Sequence, residues 1–307
     1  MVLLFLDIGA TFNAFIESAV RSFVQMLKNF ILNNVDSIAL SFYSNLGDIT
    51  ANLTKTPEGF NSGVLGLIHT ISDTAILPIG VMILTFVSCY EIIQMLIQKN
   101  NGHDVGPQDI FMVLFKMTVG VILLNNCFEI TMSFFDVASS VTTTVGGIVG
   151  DLSGVSNPSW NTFKMSVAGL SETGDSIILL IALVLITFLL RFAMFFISMY
   201  CLIIVYSRFI EIYIYCSASP LTFSTLINKE WGQIGISYIK NIMALAFQAF
   251  FMMVIVGMYT GLITGFTMTV DGNDLYYMLL GILGSTIILV MSLAKTKDIS
   301  KSIFNAH

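Results

Sequence analysis

Charge is the scarcest property of this sequence. Only 10% of its 307 residues are Asp, Glu, Lys or Arg, against about 25% in ordinary soluble domains. A soluble fold of this size needs a charged surface, and the chain cannot supply one. Basic residues are scarcer than acidic ones, 13 against 19, for a formal net charge of −6. They form no cluster, which excludes a face that grips nucleic acid by neutralising phosphates. Any nucleic acid handled by such a chain would be passed along in transient contact and not held tightly. Cysteine is rare: Cys89, Cys127, Cys201 and Cys216 lie in apolar runs without CxxC spacing. Such residues read as buried free thiols, not as a disulfide framework or a zinc site. His69, His103 and His307 are too scattered for a metal cluster. GxxxxGK[ST], HExxH and GxSxG are all missing, which excludes a recognisable nucleotide-driven motor or hydrolase. No enzyme, no metal and no cofactor are expected. Residues 1–6 are apolar but few, with no basic residue before them, so no cleaved signal peptide is expected.

Apolar helix fills the sequence instead. Hydrophobic residues make up 56%, including 25 Phe and 17 Met, and mean hydropathy is +0.87. Residues 177–206 carry a single charge, Arg191, over a run longer than the roughly 20 apolar residues that cross a bilayer. Four more runs, 74–97, 110–135, 240–266 and 275–294, bring the expectation to an all-α integral membrane protein with about five transmembrane helices. The third run meets neither Gly nor Pro before Pro220. Helix can continue there as far as Ser219, or the run turns near Ser198 as a two-span hairpin.

The remaining segments frame these spans. Phe12, Phe15, Ile16, Ala19, Val20, Phe23, Val24, Leu27, Phe30 and Ile31 recur at helical spacing, with Glu17, Arg21 and Lys28 opposite. They predict an N-terminal amphipathic helix within an outer segment 1–73. Residues 44–63 read as a polar loop. Spans 1 and 2 occupy 74–135, with Pro107 suited to the first helical position of the second. Residues 136–176 are rich in Ser, Thr, Gly and Val and read as an outer segment with a turn at Asn157-Pro158 and no convincing span. Spans 3 to 5 fill 177–294, joined by a cytoplasmic connection at 207–239 and a polar turn at 271–274. A basic tail, 295–307, carries Lys295, Lys297 and Lys301. Placing this tail in the cytoplasm and counting back over five spans puts Lys99, Arg208 and Lys229 inside and the N-terminus outside.

Polar residues inside the spans are the candidate site. Glu91 and Lys116 fall at similar depth on spans 1 and 2. They read either as an inter-helix ion pair near the interface or as part of a translocation path. Arg191 sits near the middle of its span, where it costs about 2.5–3.5 kcal/mol unless paired or solvated. Asn125, Asn126 and Glu129 are its expected partners by depth, in a buried contact or on a lumen wall. Gly257, Gly261 and Gly265 repeat every four residues and predict close helix contact, within one subunit or between copies.

The stretch 208–259 narrows the reading. A span ends in Arg208-x-x-Glu211-Ile212-Tyr213, and a turn follows at Ala218-Ser219-Pro220. Then come Asn228-Lys229-Glu230-Trp231-Gly232-Gln233 and a helix carrying Ala246-Phe247-Gln248. This resembles the TrbL-type subunits of conjugative type IV secretion systems, in the form found on Gram-positive mobile elements, with Ser219 standing where Ala is expected. The likeness covers about fifty residues, and elsewhere the hydropathy plan agrees. It implies a non-enzymatic channel or scaffold subunit in the cell membrane that forms a ring of copies. Its implied partners are the other secretion subunits, including cytoplasmic ATPases. Pro220 and Trp231 read either as helix stop and headgroup anchor or, with Arg208, Glu211, Asn228, Lys229, Glu230 and Gln248, as a region that docks an ATPase. A small-solute permease or a holin-like pore protein is the alternative. A permease usually shows repeated halves with broken helices, and no such symmetry is visible.

The basic-residue asymmetry gives a first test. Single cysteines at Ser62, Ser156 and Asn273 in a cysteine-free background are expected to react with an impermeant thiol reagent on intact cells, and one at Ser302 is not. Labelling of Ser302 with Ser156 protected would reverse the orientation.

Overall fold

A computed structural model describes residues 2–98, 105–153, 158–170, 175–268 and 275–306. Among them there is no strand, and helices follow one another with short breaks. The expected turns at 271–274 and at Asn157, and residue Lys99, lie outside the described residues. The chain divides into two compact units. One comprises Met1–Ile49, Val149–Leu202 and Ile255–Ser292; the other comprises Thr50–Ile148, Ile203–Val254 and Leu293–His307.

The first helix, α1 (Val2–Leu53), is far longer than the amphipathic segment expected, and it absorbs most of the predicted loop at 44–63. Its buried positions, Val24, Ile31, Val35, Ile38, Phe42, Leu46, Ile49 and Leu53, recur every three or four residues or their sum. That regularity carries the helix through the polar stretch. The chain breaks only at Thr56, whose hydroxyl accepts the Gly59 amide (3.1 Å) to start α2 (Pro57–Phe60), and at Asn61, which caps α3 (Ser62–Ile71) through Val64. A π-turn, Ser72–Ile76, leads straight into α4 (Leu77–Gln98). Pro78 therefore lies inside a helix and not in its first turn. It has no amide to give to Thr74, and the wider π-turn just before it accommodates that loss.

Pro107 opens α5 (Pro107–Asn125), and the Asp109 carboxylate takes the Gly106 amide at 3.1 Å. After Asn126 the chain continues as α6 (Cys127–Ser153), so the segment from 136 that was expected to hold no convincing span begins inside a candidate one, Cys127–Val149. Further along come α7 (Pro158–Ala168), α8 (Asp175–Ser217), α9 (Ser219–Phe223), α10 (Gly232–Met268) and α11 (Leu275–Ile303). α8 is one continuous helix of 43 residues, which removes the two-span alternative.

Six of these segments are long and apolar enough to cross a membrane: Ser62–Gln98, Pro107–Asn125, Cys127–Val149, Ile177–Ser217, Gly232–Tyr259 and Leu275–Ile303. The second and third are separated by Asn126 alone. Hydrogen bonds run through the break, from Asn126 N–H to Ile122 O (3.2 Å) and from Ile130 N–H to Asn126 O (2.9 Å). Antiparallel helices need about 2–5 residues to reverse, so α5 and α6 form one bent rod. Against the five spans expected, the structure has six candidate segments, and the chain is a multi-pass membrane protein.

In the first unit Lys28 corrects the amphipathic pattern. Placed on the polar face by spacing, it is buried beside Val24 and Ile31. Its ammonium donates to the carbonyls of Ala168 (3.2 Å) and Leu170 (2.5 Å), closing the C-terminal end of α7. Phe12, Phe15, Phe23 and Phe30, assigned to the packing face, are exposed. A second tie joins Lys164 to Asp36 at 2.8 Å. Charged hydrogen bonds such as those of buried Lys28 contribute about 1.5–3 kcal/mol, whereas an exposed pair such as Lys164–Asp36 contributes about 0–1 kcal/mol. Lys28→Met is therefore expected to lower the thermal midpoint in detergent by several degrees, whereas Arg21→Met, at an exposed pair with Glu17, leaves it unchanged. Equal midpoints for both variants would show that the cap contributes nothing.

Candidate functional site

The second unit holds the densest set of buried polar groups. At its centre the chain leaving α8 does not turn away after Ser217. It runs along α4, with Pro220 against Gly80, Trp231 against Phe86 and Glu230 against Tyr90 and Gln94. From Gly80 to Gln94 this is about 21 Å of helix, all within one apolar span. The connection expected at 207–239 is thus helix α8 as far as Ser217, a packed segment at 218–231, and α10 beyond.

Two glycines make this approach possible. A Cβ on Gly80 would lie 2.8 Å from the Pro220 carbonyl oxygen, and one on Gly120 would lie 2.5 Å from Ile227 Cγ2. Neither position accommodates any larger residue without moving the connection. The helix break itself is satisfied locally. Hydroxyls of Ser219, Thr222, Ser224 and Thr225 each donate to the carbonyl three residues back, at 2.9, 3.0, 2.6 and 2.8 Å. Ser219 is buried and also lies 3.5 Å from Cys127 Sγ.

Asn228 links the connection to the span pair. Its Oδ1 accepts the amides of Glu230 (2.8 Å) and Trp231 (3.1 Å), and its Nδ2 donates to Glu91 Oε2 at 2.8 Å. The other oxygen of Glu91 takes the Lys116 ammonium at 2.5 Å. The ion pair read from sequence is present, with an amide as third member. Glu230 accepts Tyr90 Oη (2.9 Å) and Gln94 Nε2 (2.7 Å), so its carboxylate is occupied as well. Lys229 and Trp231 remain exposed.

The other motif residues hold helices together. Arg208 is buried, donating from Nε to Leu245 O (3.3 Å) and from Nη2 to Ala246 O (3.4 Å), with its guanidinium 5.4 Å from the Phe209 ring. Its Nη1 has no partner. Glu211 pairs with Lys297 of α11 at 2.6 Å, and Gln248 donates to Thr296 Oγ1 at 3.4 Å. Tyr213 Oη donates to Pro57 O at 2.9 Å. Together these contacts tie α8, α10 and α11 to one another and to the start of α2.

Arg191 lies in the first unit and its partner is not the expected one. Nη1 donates to Asn34 Oδ1 of α1 at 3.1 Å, across 157 residues. Asn34 is buried and its Nδ2 has no partner. Asn125, Asn126 and Glu129 are exposed at the α5–α6 bend, where the Asn126 side chain donates to Ile122 O at 2.8 Å. Gly257 packs within the chain: a Cβ there would lie 2.7 Å from Val149 Cγ2 of α6. Gly261 and Gly265 continue α10, and their surroundings lie outside the described residues. Sequence reasoning missed Lys28, Asn34, Gly80 and Gly120. Gly80 and Gly120 stand alone in apolar helices, a signal of close backbone approach.

A family model described as TrbL/VirB6 plasmid conjugal transfer like protein matches residues 42–220. The match includes Arg208, Glu211 and Pro220 and ends before Asn228. No curated protein and no solved structure matches the chain.

Glu91 gives the test of this cluster. The pair is half-buried, and removing Glu91 leaves the Asn228 amide and the Lys116 ammonium without their acceptor, a loss of about 1–3 kcal/mol. Glu91→Ala is expected to destabilise by that order and to open the chain near Trp231 to protease, with Glu91→Gln milder. Glu91→Leu combined with Lys116→Leu is expected to recover most of the loss. A double variant as unstable as Glu91→Ala would place the defect elsewhere.

Proposed function

The chain belongs to the TrbL/VirB6 plasmid conjugal transfer-like family, and from that premise we propose that it is a channel or scaffold subunit of the conjugative type IV secretion machine. On this reading it lies in the plasma membrane with its N-terminus outside and its C-terminus in the cytoplasm, works beside separate ATPases, and assembles as a ring of copies. Membership over 42–220 supports a conjugal transfer component, and the family is structural, not enzymatic.

The observation that favours a channel is the exposed face of α8. Ile178, Leu185, Leu189, Phe192, Phe196, Tyr200, Ile203, Ile210 and Ile214 are all exposed along it. From Ile178 to Ile214 this face rises about 54 Å, while the hydrocarbon core of a bilayer is about 30 Å thick. Roughly 24 Å of apolar surface therefore needs cover that lipid does not give, and protein neighbours in an assembled machine provide it. Arg191 lies exposed on this helix, giving one hydrogen bond to Asn34 and, among the described residues, no other. A guanidinium carries five N–H donors, so water in a path or an acceptor on a neighbouring chain completes it.

Polar contacts between membrane helices are worth about 1–2 kcal/mol, so losing one lowers the assembled fraction by about tenfold. Arg191→Leu is expected to leave insertion intact while reducing conjugation frequency to that extent, with Arg191→Lys milder because the charge is kept. The companion measurement is native mass in detergent. Wild-type transfer by Arg191→Leu, or a wild-type protein that stays monomeric where its partners assemble, would overturn the channel reading.

A further inference from the structure

Helix α6 carries a polar stripe along one side. Its other side, with Phe128, Phe135, Ala138 and Thr142, is buried in the second unit. Glu129, Ser133, Asp136, Ser140, Thr143 and Gly147 are all exposed. Spaced by three and four residues, they fall within an arc of about 80° and rise about 27 Å, close to the roughly 30 Å of a hydrocarbon core. No apolar residue shares the arc. Val137, Val141 and Ile148, exposed as well, lie about 80–120° away around the helix. The open side of α6 is therefore divided lengthwise, polar beside apolar. This stretch belongs to the candidate span Cys127–Val149, and Gly146 packs against Met253 of a second one, Gly232–Tyr259.

The chemistry of the stripe is of one kind. Among the described residues neither carboxylate has a basic partner, and α6 holds no Lys or Arg. Ser133 and Thr143 return their hydroxyl protons to the helix, to Glu129 O (2.9 Å) and Ser139 O (2.8 Å). What these residues turn outward is acceptors. Acceptors and two negative charges beside a membrane span need water or cations, and lipid supplies neither. We propose that the stripe lines a water-filled path through the membrane, and that the path favours cations over anions. The proposal rests on the channel reading and names the part of the chain that forms the wall. Asn125 and Asn126, exposed at the bend, stand at one end of it.

The test places single cysteines along α6 of the full chain carrying Cys89→Ser, since the other three native thiols are buried. Isolated donor-cell membranes, open to reagent from both faces, are treated with two small methanethiosulfonates, one bearing an ammonium and one a sulfonate. Ser133→Cys, Ser140→Cys and Gly147→Cys, the last with open space around its Cβ, are expected to be modified. Relative to a free thiol, they react about tenfold faster with the cationic reagent, because a confined acidic wall concentrates counter-ions. Glu129→Gln combined with Asp136→Asn removes that preference. Val137→Cys, Val141→Cys and Ile148→Cys stay unmodified. If these three react as fast as the stripe, open water bathes the whole exposed side of α6; if the two reagents react equally on the stripe, the wall has no preference for cations. Either result overturns the proposal, as does a stripe that neither reagent modifies. The readout needs no DNA transfer, so an unmodified stripe in cells that conjugate normally would remove this wall and leave the channel reading standing.

Discussion

In a bilayer the backbone has no water to bond to, so a chain that leaves helical geometry there must satisfy every freed amide and carbonyl from within the protein. The segment between Ser217 and Gly232, packed along α4 of a candidate span, satisfies its polar groups as that constraint would require. It breaks helix at Ala218, makes the short α9, runs beside α4, and begins α10 at Gly232. Four hydroxyls return to carbonyls three residues behind them, and Asn228 takes two amides with one oxygen. The Gly232 amide reaches back to Asn228 O at 2.8 Å, which closes the turn before α10 starts. Glu91 then has a reason to lie in the span: it is the acceptor that Asn228 Nδ2 needs, and Lys116 neutralises it. An apolar residue at position 91 would leave an amide and an ammonium without acceptors.

The same logic separates what was legible in the sequence from what was not. Glu91 and Lys116 lie 25 residues apart on consecutive helices, at similar distances from the ends that face each other in sequence, Gln98 and Pro107. The length of α8 followed from the lack of Gly or Pro before Pro220, a local property. Asn34 and Arg191 meet across 157 residues, and no local pattern encodes which helix a central arginine finds. Depth suggested Asn125, Asn126 and Glu129, all of which turned out exposed at a bend. Lys28 misled for a related reason. Charge placed it outside, yet a lysine can be buried when helix-end carbonyls lie within its reach, and the end of α7 is 140 residues away. The polar stretch 44–53 reads as loop by composition, but Leu46, Ile49 and Leu53 keep the apolar spacing and hold it helical.

The residues that suggested the family have mostly structural work. Arg208, Glu211 and Gln248 join three helices, while Asn228 and Glu230 face inward to the α4–α5 pair. A surface for another protein needs side chains that are free to meet it, and in this motif Lys229, Glu230, Trp231 and Gln233 are exposed, with the Glu230 carboxylate already bonded to Tyr90 and Gln94. The motif thus combines residues that hold a broken helix in place with an exposed stretch at 229–233.

Apolar surface and polar exceptions together describe a subunit suited to company. Lipid covers about 30 Å of an apolar helix face, and the exposed face of α8 rises well beyond that. Leaving such a face in water would drive aggregation, and tilting α8 enough to immerse all of it would need an angle above the 0–40° that spanning helices adopt. Arg191 sits about 130° around α8 from that face, on the flank where its hydrogen bond goes to Asn34 of α1. The apolar face and the arginine are therefore separate problems: the surplus apolar surface needs cover that lipid does not give, and the guanidinium, with five donors and one bond to Asn34, needs further acceptors on its own flank.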